Sequence, residues 1–581
     1  MYKRAFFVPC LYFVRAFGYN GGMKKTLCAL PLLAAFFSCN KTPPLSPEEA
    51  ARLARERDEA ARAQAIADYV AALPVEQKLS QLFLVNVEGN ERYAPVETTG
   101  ALYGERGEGA PLAPGGCLLF SYNIADSAEK IASYTASVQR FYREHGMVPP
   151  YIAIDQEGGD VNRLRRITST LVSQKKTVEW FTPEEAYRIY SAQARQLRVL
   201  GIQLNLAPVV EVETSANSAF LETRTFGALD AVLAYGDAEV RAYEENGVAV
   251  VLKHFPGNSN TDPHTGLPRI TFSADEWDTY FRPFEALLPK ASAVLMSHAI
   301  VQERAGEGAA PSVPQEATAM PACFSRYWVT DTTRTRFGFD GVIFSDDIFM
   351  GALANNGYAP DVAAIAAVEA GVNCIMLSEK NFGSVAGWLL AKATEDAHFA
   401  ALVDESARRM IAFKVKLGLL DVVAVAGSAD DVAGTGSAAG VVGNAGVGSA
   451  TGAVGKQSGE SATGAVGTAS SESATGVAGN ASDGSAVGAV GTASSEIAAT
   501  AIGKAGTGSA TGAVGAAGAE SATGASSAKA GTSRASAAAG NKSRATAIAA
   551  PAYVVVPRPL ADSFDAAAFK AAYDDGMAFY K

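Results

Sequence analysis

Eight short apolar runs between residues 81 and 377 constrain the fold of this chain more than any other feature. They read QLFLVNV (81–87), GGCLLF (115–120), YIAI (151–154), IQLNLAPVV (202–210), GVAVVL (247–252), ASAVLM (291–296), DGVIFS (340–345) and GVNCIML (371–377). Most are continuously apolar rather than alternating, the pattern of parallel strands buried on both faces. Helical patterns lie between most of them. One is TPEEAYRIYSAQARQLRVLG (182–201), with Thr182 as N-cap, Pro183 at the first helical position and Gly201 as the stop. Another begins SADEWDTYFRPFEALL, where Ser273 and Glu276 form a capping box. Strands alternating with helices in this way predict an α/β fold, a (β/α)8 TIM-type barrel followed by a low-complexity Gly/Ala/Ser/Thr tail. A doubly wound open sheet is the alternative. The first connections are irregular, which leaves the helix count open.

Composition divides the 581 residues into five segments. Residues 1–39 comprise an upstream extension and a lipoprotein-type signal. From Met23, two lysines precede the apolar run Leu27–Phe37, which is too short to span a membrane and has the proportions of a secretory signal. Met1–Gly22 is expected to lie upstream of the true start. The stretch FFSC resembles a bacterial lipobox, and by that resemblance Cys39 is the lipidated first residue of the mature chain; plain signal cleavage is the alternative. Residues 40–72 are a polar spacer and a charged helix starting at Ser46-Pro47-Glu48-Glu49, expected to be solvated or peripheral. The barrel occupies 73–420. Residues 421–550 are a low-complexity linker with SATGAVG at 449, 461 and 509 and variants on the same 12-residue period. Side chains this small cannot offset the entropy of ordering, so a flexible linker is expected there. Residues 551–581 regain aromatics and are expected to form a strand and a short helix.

A net charge of −11 without a long basic run excludes nucleic acid as a partner. No CxxC or Cys/His metal spacing occurs, and Cys117 and Cys374 sit in apolar runs as core residues. No metal or organic cofactor is implied, and a monomer is expected.

In a barrel, chemistry gathers where strands end at the C-terminal face. There the third run leads into Asp155-Gln156-Glu157-Gly158-Gly159, the fifth into Lys253-His254, the sixth into Ser297-His298 and the seventh into Ser345-Asp346-Asp347. Of the five histidines in the chain, three fall on this rim.

The stretches IDQEGGDVNRLR, NLAPVVEV, RTFG, KHFPG…DPH…LP and GFDGVIFSDD resemble, in order, the blocks of glycoside hydrolase family 3. LPVEQKLSQLFL and DESARRMIAFKVKLGLL resemble its flanks, so the resemblance covers about 73–420. Asp262-Pro263-His264 in the loop after KHFPG resembles the Asp-x-His of the single-domain β-N-acetylhexosaminidase branch. The resemblance implies a retaining glycosidase with Asp346 as nucleophile, His264 as acid/base and Asp262 orienting it. It further implies that Asp155, Arg163, Arg224, Lys253 and His254 bind the sugar; for each arginine, a salt bridge in the barrel rim is the alternative. His298 is a weaker candidate for ligand contact. A loop position would let His264 approach only when sugar is bound.

The loop departs from the branch pattern. GNSNTDPH is about two residues shorter than the usual loop, with Asn258, Asn260 and Pro263 replacing His, Asp and Ser. Asp160 and Glu211 also replace common residues. The implied protein is an exported periplasmic or outer-membrane lipoprotein, held by a lipid anchor. It would remove terminal N-acetylglucosamine from cell-wall fragments or related oligosaccharides. An N-acetylglucosaminide phosphorylase, a β-glucosidase and a non-catalytic sugar-binding lipoprotein are the rivals.

Overall fold

The computed structural model describes residues 46–95, 112–304, 312–425, 552–560 and 563–581. Cys39 and the 12-residue repeats lie outside them. The eight runs supply eight strands of a closed parallel barrel. These are β1 (Phe83–Asn86), β2 (Gly116–Leu119), β3 (Tyr151–Ile154), β4 (Leu204–Asn205), β5 (Ala249–Phe255), β6 (Ala293–Met296), β7 (Val342–Asp347) and β8 (Cys374–Ser378). Each pairs with its neighbours in sequence, and β8 closes on β1 with Phe83 opposite Ile375. Strand β4 is short because Pro208 has no N–H to give the ladder; pairing resumes as an isolated bridge between Val209 and Lys253.

The continuous apolar character of the runs has a direct cause. Ala249, Val251, Ala293, Leu295, Val342 and Phe344 point into the barrel, while Val250, Val294 and Ile343 point outward under the helices. Both faces of each strand are thus dry. Met410, Phe413 and Leu417 join the interior cluster, with Tyr151 packed edge-on against Phe413 at 5.7 Å.

Helices α1 (Pro47–Ala72), α2 (Ala128–Glu144), α3 (Pro183–Val199), α4 (Leu229–Glu245), α5 (Trp277–Leu287), α6 (Pro360–Ala370), α7 (Glu379–Glu395) and α8 (Ala397–Lys416) surround the barrel. The caps read from sequence are present: Thr182 and Glu185 box the start of α3, and Ser273 and Glu276 box a 3-10 turn that leads into α5. Between β6 and β7 the chain winds in π turns, Tyr327–Arg336. Helix α1 is more than a solvated spacer. Its Ser46 capping box is formed, its charged face stays exposed, and Ala65 and Val70 are buried where it meets α8.

Past the barrel, β9 (Leu420–Ala424) pairs antiparallel with β10 (Tyr553–Pro557), and α9 (Ala566–Met577) packs on α3. Arg195 of α3 meets Asp575 of α9 at 2.8 Å. Among the described residues no helix is long and apolar enough to cross a membrane.

Candidate active site

A cleft of about 510 Å³ opens at the C-terminal ends of the barrel strands. Asp155, Arg163, Arg224, Lys253, His254, His264 and Asp346 all line it, and so do Glu157 and Asp347.

Its floor on the β3 side is an ion network. Glu157, only 2% exposed, accepts from Arg224 Nε at 2.8 Å and Nη2 at 2.9 Å, and Lys253 Nζ lies 2.6 Å away. Lys253 Nζ also donates to Asp155 Oδ1 at 2.8 Å, and Arg163 Nη2 stands 3.9 Å from Asp155 Oδ2. Burial alone would raise the Glu157 carboxyl; the charges of Lys253 and Arg224 outweigh it and hold it at about 2. The same balance keeps Lys253 charged: burial lowers it, and Asp155 and Glu157 more than compensate. The alternatives posed for Arg224 are therefore not exclusive. It forms a rim salt bridge and still faces the cleft, with N–H groups left over beyond the two given to Glu157. Sequence reasoning gave Glu157 no role, although it sits in the quoted IDQEGG block.

Next to Lys253 at the end of β5, His254 Nδ1 lies 2.7 Å from Glu211 Oε1. A carboxylate only accepts, so Nδ1 carries the proton and Nε2 is the nitrogen left for the cleft. The shortened loop brings His264 to the cleft mouth, its side chain 68% exposed. Asp262 stands behind it rather than in the cleft: its Oδ1 accepts from His264 N at 2.9 Å and lies 2.7 Å from His264 Nδ1. These contacts, the backbone one first, draw the Asp262 carboxyl below its usual range.

At the end of β7, Asp346 is 7% exposed and its Oδ1 accepts from Asp347 N at 2.9 Å. Asp347 is pushed up to about 6, chiefly by burial and further by the Asp346 charge; a bond from Phe349 N opposes the shift. His298 is not a rim residue. It is fully buried, with Nε2 2.9 Å from Asp347 O and Nδ1 3.2 Å from Cys323 Sγ. A carbonyl accepts, so Nε2 carries the proton and Nδ1 faces the thiol. Burial pulls its ring below the ordinary histidine value. The imidazole braces the strand carrying Asp346 and Asp347 and does not line the cleft.

The model for the glycosyl hydrolase family 3 N terminal domain matches residues 75–413. The chain belongs to glycosyl hydrolase family 3. Within the family, it is 30% identical over 272 residues to a β-hexosaminidase A of Pseudoalteromonas piscicida, an alignment covering 45% of each chain. It is 29% identical over 282 residues to a β-hexosaminidase of Tolumonas auensis, covering 47% of this chain and 78% of that one. The solved β-N-acetylhexosaminidase of Beutenbergia cavernae superposes with a TM-score of 0.50 at 28% identity, over 59% of this chain and 99% of that structure. The chain spans less than two thirds of the length of the first relatives it matches, 45% of the Pseudoalteromonas protein and 59% of a Cellulomonas fimi β-N-acetylglucosaminidase/β-glucosidase.

Proposed function

We propose that this chain is a β-N-acetylhexosaminidase that hydrolyses terminal N-acetyl-β-D-glucosamine with retention of configuration. The observation that carries the reading is the Asp262–His264 pair on the mouth of the cleft whose floor holds Asp346. Support also comes from the relatives named β-hexosaminidase.

In the first step Asp346 attacks the anomeric carbon, and the bond to the leaving oxygen breaks as His264 Nε2 gives that oxygen its proton. Imidazole suits this work because it can give and take a proton near neutral pH. Asp262 keeps the proton on Nδ1 and stabilises the imidazolium before it donates. In the second step neutral His264 takes a proton from water, whose oxygen attacks the anomeric carbon and frees Asp346. Asp155, Lys253, His254, Arg163 and Arg224 hold the sugar hydroxyls and the acetamido group between them. The ion network keeps these groups fixed before sugar arrives.

An exported, lipid-anchored location and a substrate from cell-wall fragments belong to the same proposal, on the strength of the signal and Cys39. The deciding experiment is release of 4-nitrophenol from its N-acetyl-β-glucosaminide by residues 40–581, with Asp346→Asn and His264→Ala alongside. Activity that both substitutions cut by about 10²-fold or more supports the assignments. A folded parent that binds N-acetylglucosamine but releases nothing sinks them.

A further inference from the structure

We infer that Glu211 is a positioning residue that aims His254 at the sugar and also tethers the loop carrying Asp262 and His264. The inference rests on the reaction proposed above. Glu211 follows the fourth apolar run, and its side chain is 3% exposed. Four donors converge on it. Oε1 accepts from His254 N at 3.3 Å, from His254 Nδ1 at 2.7 Å and from Asn258 Nδ2 at 3.2 Å; Oε2 accepts from Asn258 N at 2.6 Å. Three of the donors crowd Oε1, and the Asn258 amide holds Oε2.

Two of the donors belong to His254 at the end of β5, and two to Asn258, where the catalytic loop begins. One buried carboxylate therefore fixes the ring of a sugar-binding residue and the base of the acid/base loop together. The loop is held twice more along its length. Asn260 donates to Ala216 O at 2.6 Å and Ser215 O at 2.9 Å, and its Oδ1 accepts from Ala219 N at 2.9 Å. Near the tip, Ala352 N donates to Pro263 O at 2.9 Å and Asn355 Nδ2 to Thr265 O at 3.1 Å. Gly351 permits this approach, since a Cβ there would run into the His264 carbonyl. Asn258 and Asn260 are two of the positions where the loop departs from the family pattern. Their amides replace length with anchorage. His264 is thus pre-positioned rather than brought in by sugar, and Glu211 is the tether shared with sugar recognition.

The test uses the full chain and Glu211→Gln, Asn258→Ala and Glu211→Asp. An amide at 211 cannot accept at both ends, so it must release His254 or Asn258. The readouts are kcat/KM on the phenyl and 2,4-dinitrophenyl N-acetyl-β-glucosaminides, inhibition by N-acetylglucosamine, and amide exchange over 257–265. The dinitrophenolate leaves without a proton, so it reports sugar binding and attack but not the acid. Asn258→Ala is expected to lower kcat/KM on the phenyl glycoside about 10- to 100-fold and on the dinitrophenyl glycoside less than about threefold, with inhibition unchanged. Glu211→Gln should lose about tenfold on the dinitrophenyl glycoside, matching about tenfold weaker inhibition, and a further 10- to 100-fold on the phenyl glycoside, with faster exchange at Asn258. Glu211→Asp should restore part of each. Equal losses on both glycosides with unchanged inhibition, or parental behaviour in both variants, overturn the inference. A parent inactive on both glycosides overturns the proposed reaction instead, and unchanged exchange in Glu211→Gln then overturns the tether as well.

Discussion

Glu157 grips Arg224 through two parallel bonds, Oε2 to Nε at 2.8 Å and Oε1 to Nη2 at 2.9 Å, while the same carboxylate lies 2.6 Å from Lys253 Nζ. Glu157→Gln keeps the shape and removes the charge. It leaves two largely buried cations short of a counter-charge, so unfolding free energy should fall by about 3–5 kcal/mol. Urea titration measures this, and a loss below about 1 kcal/mol would show that water or Asp155 takes over the pairing.

Glu239, on α4, is fully buried behind that network and pushed up to about 8, chiefly by burial, with the Glu157 charge adding to it. Geometry agrees with a neutral carboxyl. The Gln174 amide is satisfied when its NH2 faces Arg224 O and its oxygen faces Val209 N, which turns that oxygen towards Glu239 Oε2, 3.4 Å away. An O–H on Glu239 satisfies this contact; a carboxylate does not. The folded state thus holds the proton more tightly than the unfolded chain, so this stabilisation is complete below about pH 4.5 and is lost as pH rises to about 8. By pH 7 the loss amounts to about 2–4 kcal/mol. Glu239→Gln should flatten the slope between pH 5 and 8 in denaturation series; an unchanged slope would contradict a protonated Glu239.

Asp347, at about 6, should leave its mark on the rate. As pH rises through 6 it ionises beside Asp346, adding negative charge where positive charge develops on the sugar. The acid limb of kcat/KM should therefore move to lower pH in Asp347→Asn. A limb that stays in place assigns it to another group.

Val425 N donates to Ala552 O at 2.8 Å, which sets the two ends of residues 426–551 side by side on the β9–β10 ribbon. Replacing 426–551 with a short Asn-Gly turn should leave activity within about twofold and raise stability. Shortening the loop about thirtyfold is worth up to about 3 kcal/mol of closure entropy. Calorimetry of the shortened chain checks this, and a chain that no longer folds would give the segment a structural role.

Gly576 packs against the loop that follows the Asp155 block. A Cβ there would run into Ser169 Oγ. Gly576→Ala should push α9 off α3 and cost about 1–3 kcal/mol, read by thermal unfolding and by protease sensitivity at the C terminus. An unchanged melting temperature would mean that α9 shifts without loss.

The amino-acid sequence alone determined the parallel strands, because strands dry on both faces leave a run that cannot be mistaken for alternation, as in GVAVVL and DGVIFS; closure into a barrel rather than an open sheet was decided by the pairing of β8 with β1. It determined the starts of α3 and α5, since capping is a local bond between residues three apart. It also brought forward Asp155, Lys253, His254, Asp262, His264 and Asp346, all strand-end or loop residues close to recognisable blocks. Tertiary structure decided the rest. The burial of His298 depends on Cys323 and on the carbonyl of Asp347, which local sequence cannot align with it. The pairing of Glu157 with Arg224 joins the segments that follow β3 and β4, and the hold of Glu211 on His254 and Asn258 joins those of β4 and β5. The neutral state of Glu239 follows from desolvation, and a chain has no interior until it folds.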